Sequence, residues 1–170
     1  LKGAPGLGLG KLWLVRPHLS LDQVRAACTA APDIEKAAIA EAITRIPGSS
    51  AWFEAGYVSY GNQQKTAMLQ VPPQLIDSHG AVSLPVVEAM ARGAQQASAA
   101  RYAVAVSGIA GPDGGSAAKP VGTVCFAWAD ADYVHSRQLQ LDGDRAEVRR
   151  QTVVLALRGL LLLLAADAAK

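Results

Sequence analysis

The stretch RYAVAVSGIAGPDGGSAAKPVGTVCFAWA at residues 101–129 decides the fold. It contains two largely apolar runs, 101–106 and 121–129, rich in Val and Ala. Such runs suit strands covered on both faces. Between them lies a Gly-rich loop, 107–116. A third strand, with apolar–polar alternation, is expected over 133–141, and AGYVSY at 55–60 reads as a fourth. Helices fill the remainder. Weak helical periodicity runs over 12–30, with Ser20 as a candidate cap. Pro32 and Asp33 read as a second helix start, and Pro47-Gly48 ends that helix. Asn62 is the expected cap of a helix over 63–70, closed by Val71-Pro72-Pro73, and 77–83 reads as a loop. Ser83, with Pro85 in the first turn, opens a helix to about residue 99, and Asp142-Gly143-Asp144 opens a final helix to about residue 164.

This order predicts an α/β fold, a single three-layer α/β/α sandwich with a mixed sheet. Residues 1–10 (LKGAPGLGLG) are expected to be a flexible lead and 11–170 a single domain. The chain has 170 residues, 51% hydrophobic and 18% charged, which excludes a disordered chain. Aromatics are only 5%, so the core must rest on Ala, Val, Leu and Ile. A net charge of +2 leaves no nucleic-acid footprint. Cys28 and Cys125 make neither a disulfide framework nor a zinc quartet, and a reducing cytoplasm is expected. His18, His79 and His135 lack metal-ligand spacing, so no metal is expected. The most apolar stretch, 153–166, is interrupted by Arg158 and is shorter than the roughly 18–20 residues of a membrane span. It reads as a buried C-terminal helix. Gly3, Pro5, Gly6, Gly8 and Gly10 break any signal-peptide run. The chain opens on Leu1, which is not the expected natural translation start.

Three places could hold chemistry. The loop at 107–116 follows an apolar strand, where α/β sheets place ligands, and its glycines let backbone amides approach an anion. Its spacing is neither a P-loop nor a dinucleotide fingerprint, and a mobile hairpin loop reads as well. Ser49 and Ser50 precede Tyr60 and Lys65, and a neutral lysine can deprotonate a serine. On spacing alone, two turn serines and a solvated lysine read better. Arg145 and Arg149 share one helical face suited to a phosphate, or form an ordinary solvated face. Cys125 lies mid-strand and reads as a small buried hydrophobe.

Six segments, in order, resemble the CinA C-terminal domain family over roughly 38–165. They are Ile46-Pro47-Gly48-Ser49-Ser50-Ala51-Trp52-Phe53; Tyr60 through Asn62 to Lys65; His79-Gly80-Ala81-Val82-Ser83; Val106-Ser107-Gly108-Ile109-Ala110-Gly111-Pro112; Lys119-Pro120-Val121-Gly122-Thr123-Val124; and Gly143-Asp144-Arg145. The resemblance implies an α/β sandwich, often a homodimer, that deamidates nicotinamide mononucleotide to nicotinic acid mononucleotide and ammonia without a cofactor. It implies a small-molecule nucleotide substrate, with neither nucleic acid nor membrane as partner. Ser50, Tyr60 and Lys65 match positions tied to serine–lysine amide hydrolysis. Lys65 would take a proton from Ser50 or from water. Ser107, Gly108, Ala110 and Gly111 would line the substrate and an oxyanion, and Arg145 would hold its phosphate.

One departure stands out. The family's AESCTGG motif should fall near 31–37, where this chain reads Ala31-Pro32-Asp33-Ile34-Glu35-Lys36-Ala37. Asp33 takes the serine's place, and Lys36 and Ala37 the glycines'. A Cys28-Thr29 pair occurs without following glycines. Asp33 would cap the free amides that an anion needs. Two readings remain open: an active amidohydrolase, or a catalytically degenerate nucleotide-binding or regulatory module of the same fold. The segment 1–37 is either diverged or an altered reading of the N-terminal coding region.

Overall fold

In a computed structural model, the run at 101–106 becomes the centre of a five-stranded sheet. The structure describes residues 10–15 (backbone path), 22, 25–26 and 39–169. The strands are β1 (Gly10–Val15), β2 (Phe53–Ser59), β3 (Tyr102–Gly108), β4 (Thr123–Ala129) and β5 (Val134–Gln140), in the order β2-β1-β3-β4-β5. The helices are α1 (Ile39–Thr44), α2 (Asn62–Leu69), α3 (Pro73–His79), α4 (Leu84–Ser98) and α5 (Arg145–Ala168). A 3₁₀ turn, Ser49–Ala51, leads into β2.

Every adjacent strand pair is antiparallel, which corrects the expected mixed sheet. The reason is the place of β1. The crossover through α2, α3 and α4 makes β2 and β3 parallel to each other, but β1 lies between them and opposes both. β1 also corrects the reading of 10–15 as lead and weak helix: its six residues fill the gap between two strands, and pairing on both sides overrides local propensity.

The two faces of the sheet have different textures. Val104, Val106, Phe126 and Trp128 point toward α1 and α5, with Phe126 and Trp128 stacked at 5.5 Å. Ala103, Ala105, Ala127 and Ala129 point the other way, and these small residues let α4 settle closely on β3 and β4. The result is the expected three-layer α/β/α sandwich.

Local signals differ in detail. α2 begins at Asn62 with Gly61 as its cap residue, so Asn62 is the first helical residue and not the cap. The stretch read as a helix-closing proline pair and loop instead holds α3, which starts at Pro73, a position where a missing N–H costs nothing. Ser83 occupies the N-cap of α4, yet its hydroxyl donates to the Gly80 carbonyl at 2.8 Å instead of accepting from a helix amide. Asp144 does cap α5, accepting from the Glu147 amide at 2.9 Å. Asp144→Ala should therefore lower stability by about 1 kcal/mol, read from a denaturation midpoint. Ser20, Cys28, Thr29, Pro32, Asp33, Lys36 and Ala37, and the helix start read there, lie outside the described residues.

α5 has 24 residues and is long and apolar enough to cross a membrane. Its packing identifies it as the sheet's covering helix. Val153, Ala156, Leu157, Leu160 and Leu164 are buried, and the Trp128 indole N–H donates to the Ala156 carbonyl at 2.8 Å. Gly159 makes room for that indole: a Cβ there would lie 2.1 Å from the ring.

Candidate active site

Since β2 and β3 are parallel, their C-terminal ends share one end of the sheet. β4 starts there, β5 ends there, and the first turn of α5 follows. Tyr60, Lys65, Ser107, Gly108, Ala110, Gly111 and Arg145 therefore gather at one end. Ser50 does not. It precedes β2, a strand of seven residues, so the 3₁₀ turn that holds it lies about 20 Å away, at about 3.3 Å per residue. The Ser50–Lys65 pairing expected from the resemblance is not made within one chain.

Lys65 is the most unusual side chain at this end. It is fully buried on the second turn of α2. Its one hydrogen bond among the described residues is a long contact, 3.4 Å, from Nζ to the Ser59 carbonyl. No carboxylate pairs with it there. Burial holds the ammonium below its usual 10.5, and the positive end of α2 acts in the same direction. The neighbouring Ser59 hydroxyl is buried with no partner. Sequence reasoning missed Ser59, and nothing local distinguishes it from a strand serine. Tyr60 follows directly after β2 and is 44% exposed.

The Gly-rich loop is pinned at its base. The Ile109 amide donates to Thr123 O at 2.9 Å, and the Gly122 amide to Ile109 O at 2.7 Å. Gly111 has φ +78°, and a Cβ there would meet Val121 at 2.5 Å, so glycine is required. The amides of Ala110 and Gly111 have no hydrogen-bond partner among the described residues, although both residues are buried. Arg145 lies against them, donating from Nη1 to the Gly111 carbonyl at 2.7 Å. That uses one of five guanidinium donors. Two open amides and an arginine are groups that can hold an anion, while Asp144 already caps the start of α5.

Ser107 is fully buried, and its hydroxyl donates to the Ala81 carbonyl at 2.8 Å. It ties the 80–83 loop to the end of β3. Lys119, absent from the expected site residues, does the same work: Nζ donates to His79 O at 2.7 Å and Val82 O at 2.6 Å. Its place in the Lys119-Pro120-Val121-Gly122 segment was the available signal. Cys125 is buried mid-strand, as read, and burial pushes its thiol up to about 11. Among the described residues, no group of three or more His, Cys, Asp and Glu is placed to hold a metal ion.

The sequence model of the CinA C-terminal domain matches residues 27–164. The nicotinamide-nucleotide amidohydrolase PncC of Pseudomonas putida is 64% identical over 143 residues, covering 84% of this chain and 89% of that protein. The PncC of Escherichia coli K12 is 53% identical over 124 residues, covering 72% and 74%. Among solved structures, the competence/damage inducible protein CihA of Agrobacterium tumefaciens superposes with a TM-score of 0.75 at 38% identity, covering 84% of this chain and 95% of that one.

Proposed function

The chain belongs to the CinA C-terminal domain family, and from that premise we propose that it is a nicotinamide-nucleotide amidohydrolase. It cleaves the carboxamide C–N bond of nicotinamide mononucleotide with water, releasing nicotinic acid mononucleotide and ammonia. The observation that carries the reading is Lys65: a fully buried lysine with no carboxylate partner among the described residues is poised as a neutral base. A catalytically silent module has no use for so costly a burial, and the degenerate alternative is not favoured.

Lys65 Nζ takes a proton from the attacking water. The new C–O bond forms, and the carbonyl oxygen gains the negative charge. Tyr60, exposed five residues before Lys65, donates its O–H to that oxygen. On collapse the C–N bond breaks, and Lys65 returns the proton to the departing nitrogen, which leaves as ammonia. The cradle of Ala110, Gly111 and Arg145 suits the phosphate better than the oxyanion, since it lies across β1 from Lys65. Two inter-strand spacings, about 10 Å, separate β2 from β3. A mononucleotide spans a length of that order between base and phosphate. Hydrolysis needs no cofactor. The substrate class and the free, buried Cys125 fit a cytoplasmic enzyme.

Ammonia release from nicotinamide mononucleotide by the purified chain tests the reading, and a folded parent that releases none overturns it. Arg145→Ala should raise KM by about 10- to 100-fold with kcat little changed, as loss of a charge-assisted phosphate contact requires. Arg145→Lys should recover only part, lacking the planar fork. Nicotinamide riboside, which has no phosphate, should be hydrolysed equally poorly by parent and variant.

A further inference from the structure

Away from the catalytic end, the sheet carries a second concavity. β5 is an edge strand, and its two faces are covered unequally. α4 packs on one face, while α5 lies over β3 and β4. The register sets His135 opposite Trp128, Arg137 opposite Phe126 and Leu139 opposite Val124, so these three share the α5 side of the sheet. His135 and Arg137 are exposed there, and Leu139 is half-buried. Between this strand and α5 lies a groove of about 480 Å³. The Trp128 ring, admitted by Gly159, lies at its base, and Leu155, Leu162 and Leu163 of α5 form its wall. The Trp128 N–H is already bonded to the Ala156 carbonyl, so the indole offers the groove apolar surface. Leu162 is 73% exposed, more than any other large apolar side chain among the described residues. The charges lining the groove are all of one sign. Arg137 on the strand and Arg158 on the helix both line it, and neither has a hydrogen bond or ion pair among the described residues. No carboxylate lines it there.

We propose that this groove is a binding site for a small amphiphilic anion: an aliphatic carboxylate whose chain lies against Trp128, Leu155 and Leu162 and whose head meets Arg137 and Arg158. The volume falls within the usual range of small-ligand sites, about 300–1,000 Å³. Such sites are mostly apolar, with a few polar groups that fix the ligand's orientation. Here the two guanidinium groups take that part, being permanently charged, planar and matched to a carboxylate. Charge also decides against other occupants. A second copy seated here about a two-fold axis would bring two more unpaired guanidinium groups into the same cleft. A cationic amphiphile would meet the same repulsion. The site is separate from the catalytic end. At about 1.5 Å per residue, Arg158 stands about 20 Å along α5 from Arg145.

Titration of the isotope-labelled chain with decanoate below its micelle concentration, followed by nuclear magnetic resonance, tests this. The Trp128 indole N–H resonance should shift saturably, because its ring lines the groove. That of Trp52, buried in the core, should stay in place. Arg137→Gln and Arg158→Gln should each weaken binding by about 5- to 10-fold, as loss of one charged contact predicts. Leu162→Glu, which sets a carboxylate in the wall, should abolish it. Decanol and decyltrimethylammonium keep a chain of the same length without the anion and should bind about 10-fold more weakly or worse. Acetate, the head without the chain, should leave the Trp128 resonance unmoved. All three substituted positions are exposed, and an unchanged denaturation midpoint reports that each variant is folded. The outcome therefore does not depend on whether the chain hydrolyses nicotinamide mononucleotide. No saturable shift at Trp128 overturns the proposal. So does decanol binding as tightly as decanoate, or undiminished binding in the Arg137→Gln/Arg158→Gln double variant. A mass of two chains in solution that Leu162→Glu reduces to one overturns it in favour of a second copy in the groove.

Discussion

Lys65→Met should abolish ammonia release, by about 1,000-fold or more, and at the same time make the protein more stable. The first effect follows from loss of the base, whose contribution is typically about 10²- to 10⁴-fold. The second follows from burial. Lys65 is fully enclosed, with only the Ser59 carbonyl at 3.4 Å to compensate its charge. A methionine of similar length fills the same space without a group that must be desolvated. The pH dependence gives the sign. Burial lowers the folded-state pKa of Lys65 below its usual 10.5. Between that lowered value and 10.5 the unfolded chain binds more protons than the folded one, so stability rises with pH across the window. Below the window both states are protonated, and the full penalty of a buried charge is borne. The Met variant should lack this rise and should melt higher than the parent at neutral pH. Parent kcat/KM should climb through the same lowered pKa to a plateau, because the neutral amine is the active form. A Met variant that melts lower than the parent would show that the lysine is held by a compensating partner.

The sequence disclosed some of this and hid the rest for physical reasons. β3 and β4 were legible because strands buried on both faces must be apolar throughout, as Tyr102–Gly108 and Thr123–Ala129 are. β5 was legible from alternation, one face meeting the core and the other solvent. β1 was not, since six residues starting at Gly10 acquire strand geometry only from the two strands they separate. Lys65 lies in Asn62-Gln63-Gln64-Lys65, a polar run that reads as a solvated helix start. Its burial depends on α4 docking against α2, a contact between residues far apart in sequence. The role of Ser107 likewise depends on Ala81, 26 residues away. The separation of Ser50 from Lys65 was available in principle: a strand of seven residues between them already sets their distance.

The docking of α2 on α4 sets up the second large effect. Gly93→Ala should destabilise the protein by about 3 kcal/mol or more, the upper range for overpacking a well-filled interior. A Cβ on Gly93 would lie 1.7 Å from the Leu69 carbonyl oxygen and 2.7 Å from its carbon. The obstacle is backbone, so no side-chain rotation relieves it, and the last turn of α2 must move away from α4. Leu69 and Val71, both fully buried there, would be pulled from the core. The damage reaches the chemistry because Lys65 is one helical turn before Leu69 on the same face of α2. A shift of about 1 Å at a catalytic group can cost on the order of 100-fold in rate. Gly93→Ala should therefore lose activity even at temperatures where it remains folded, with kcat falling more than KM rises, since the phosphate cradle on β3 and α5 is untouched. Gly93→Val should be worse in both respects. Denaturation midpoints and steady-state kinetics below the transition check this. An unchanged midpoint in Gly93→Ala would mean that α2 and α4 do not approach this closely, and that Lys65 is held buried by some other contact.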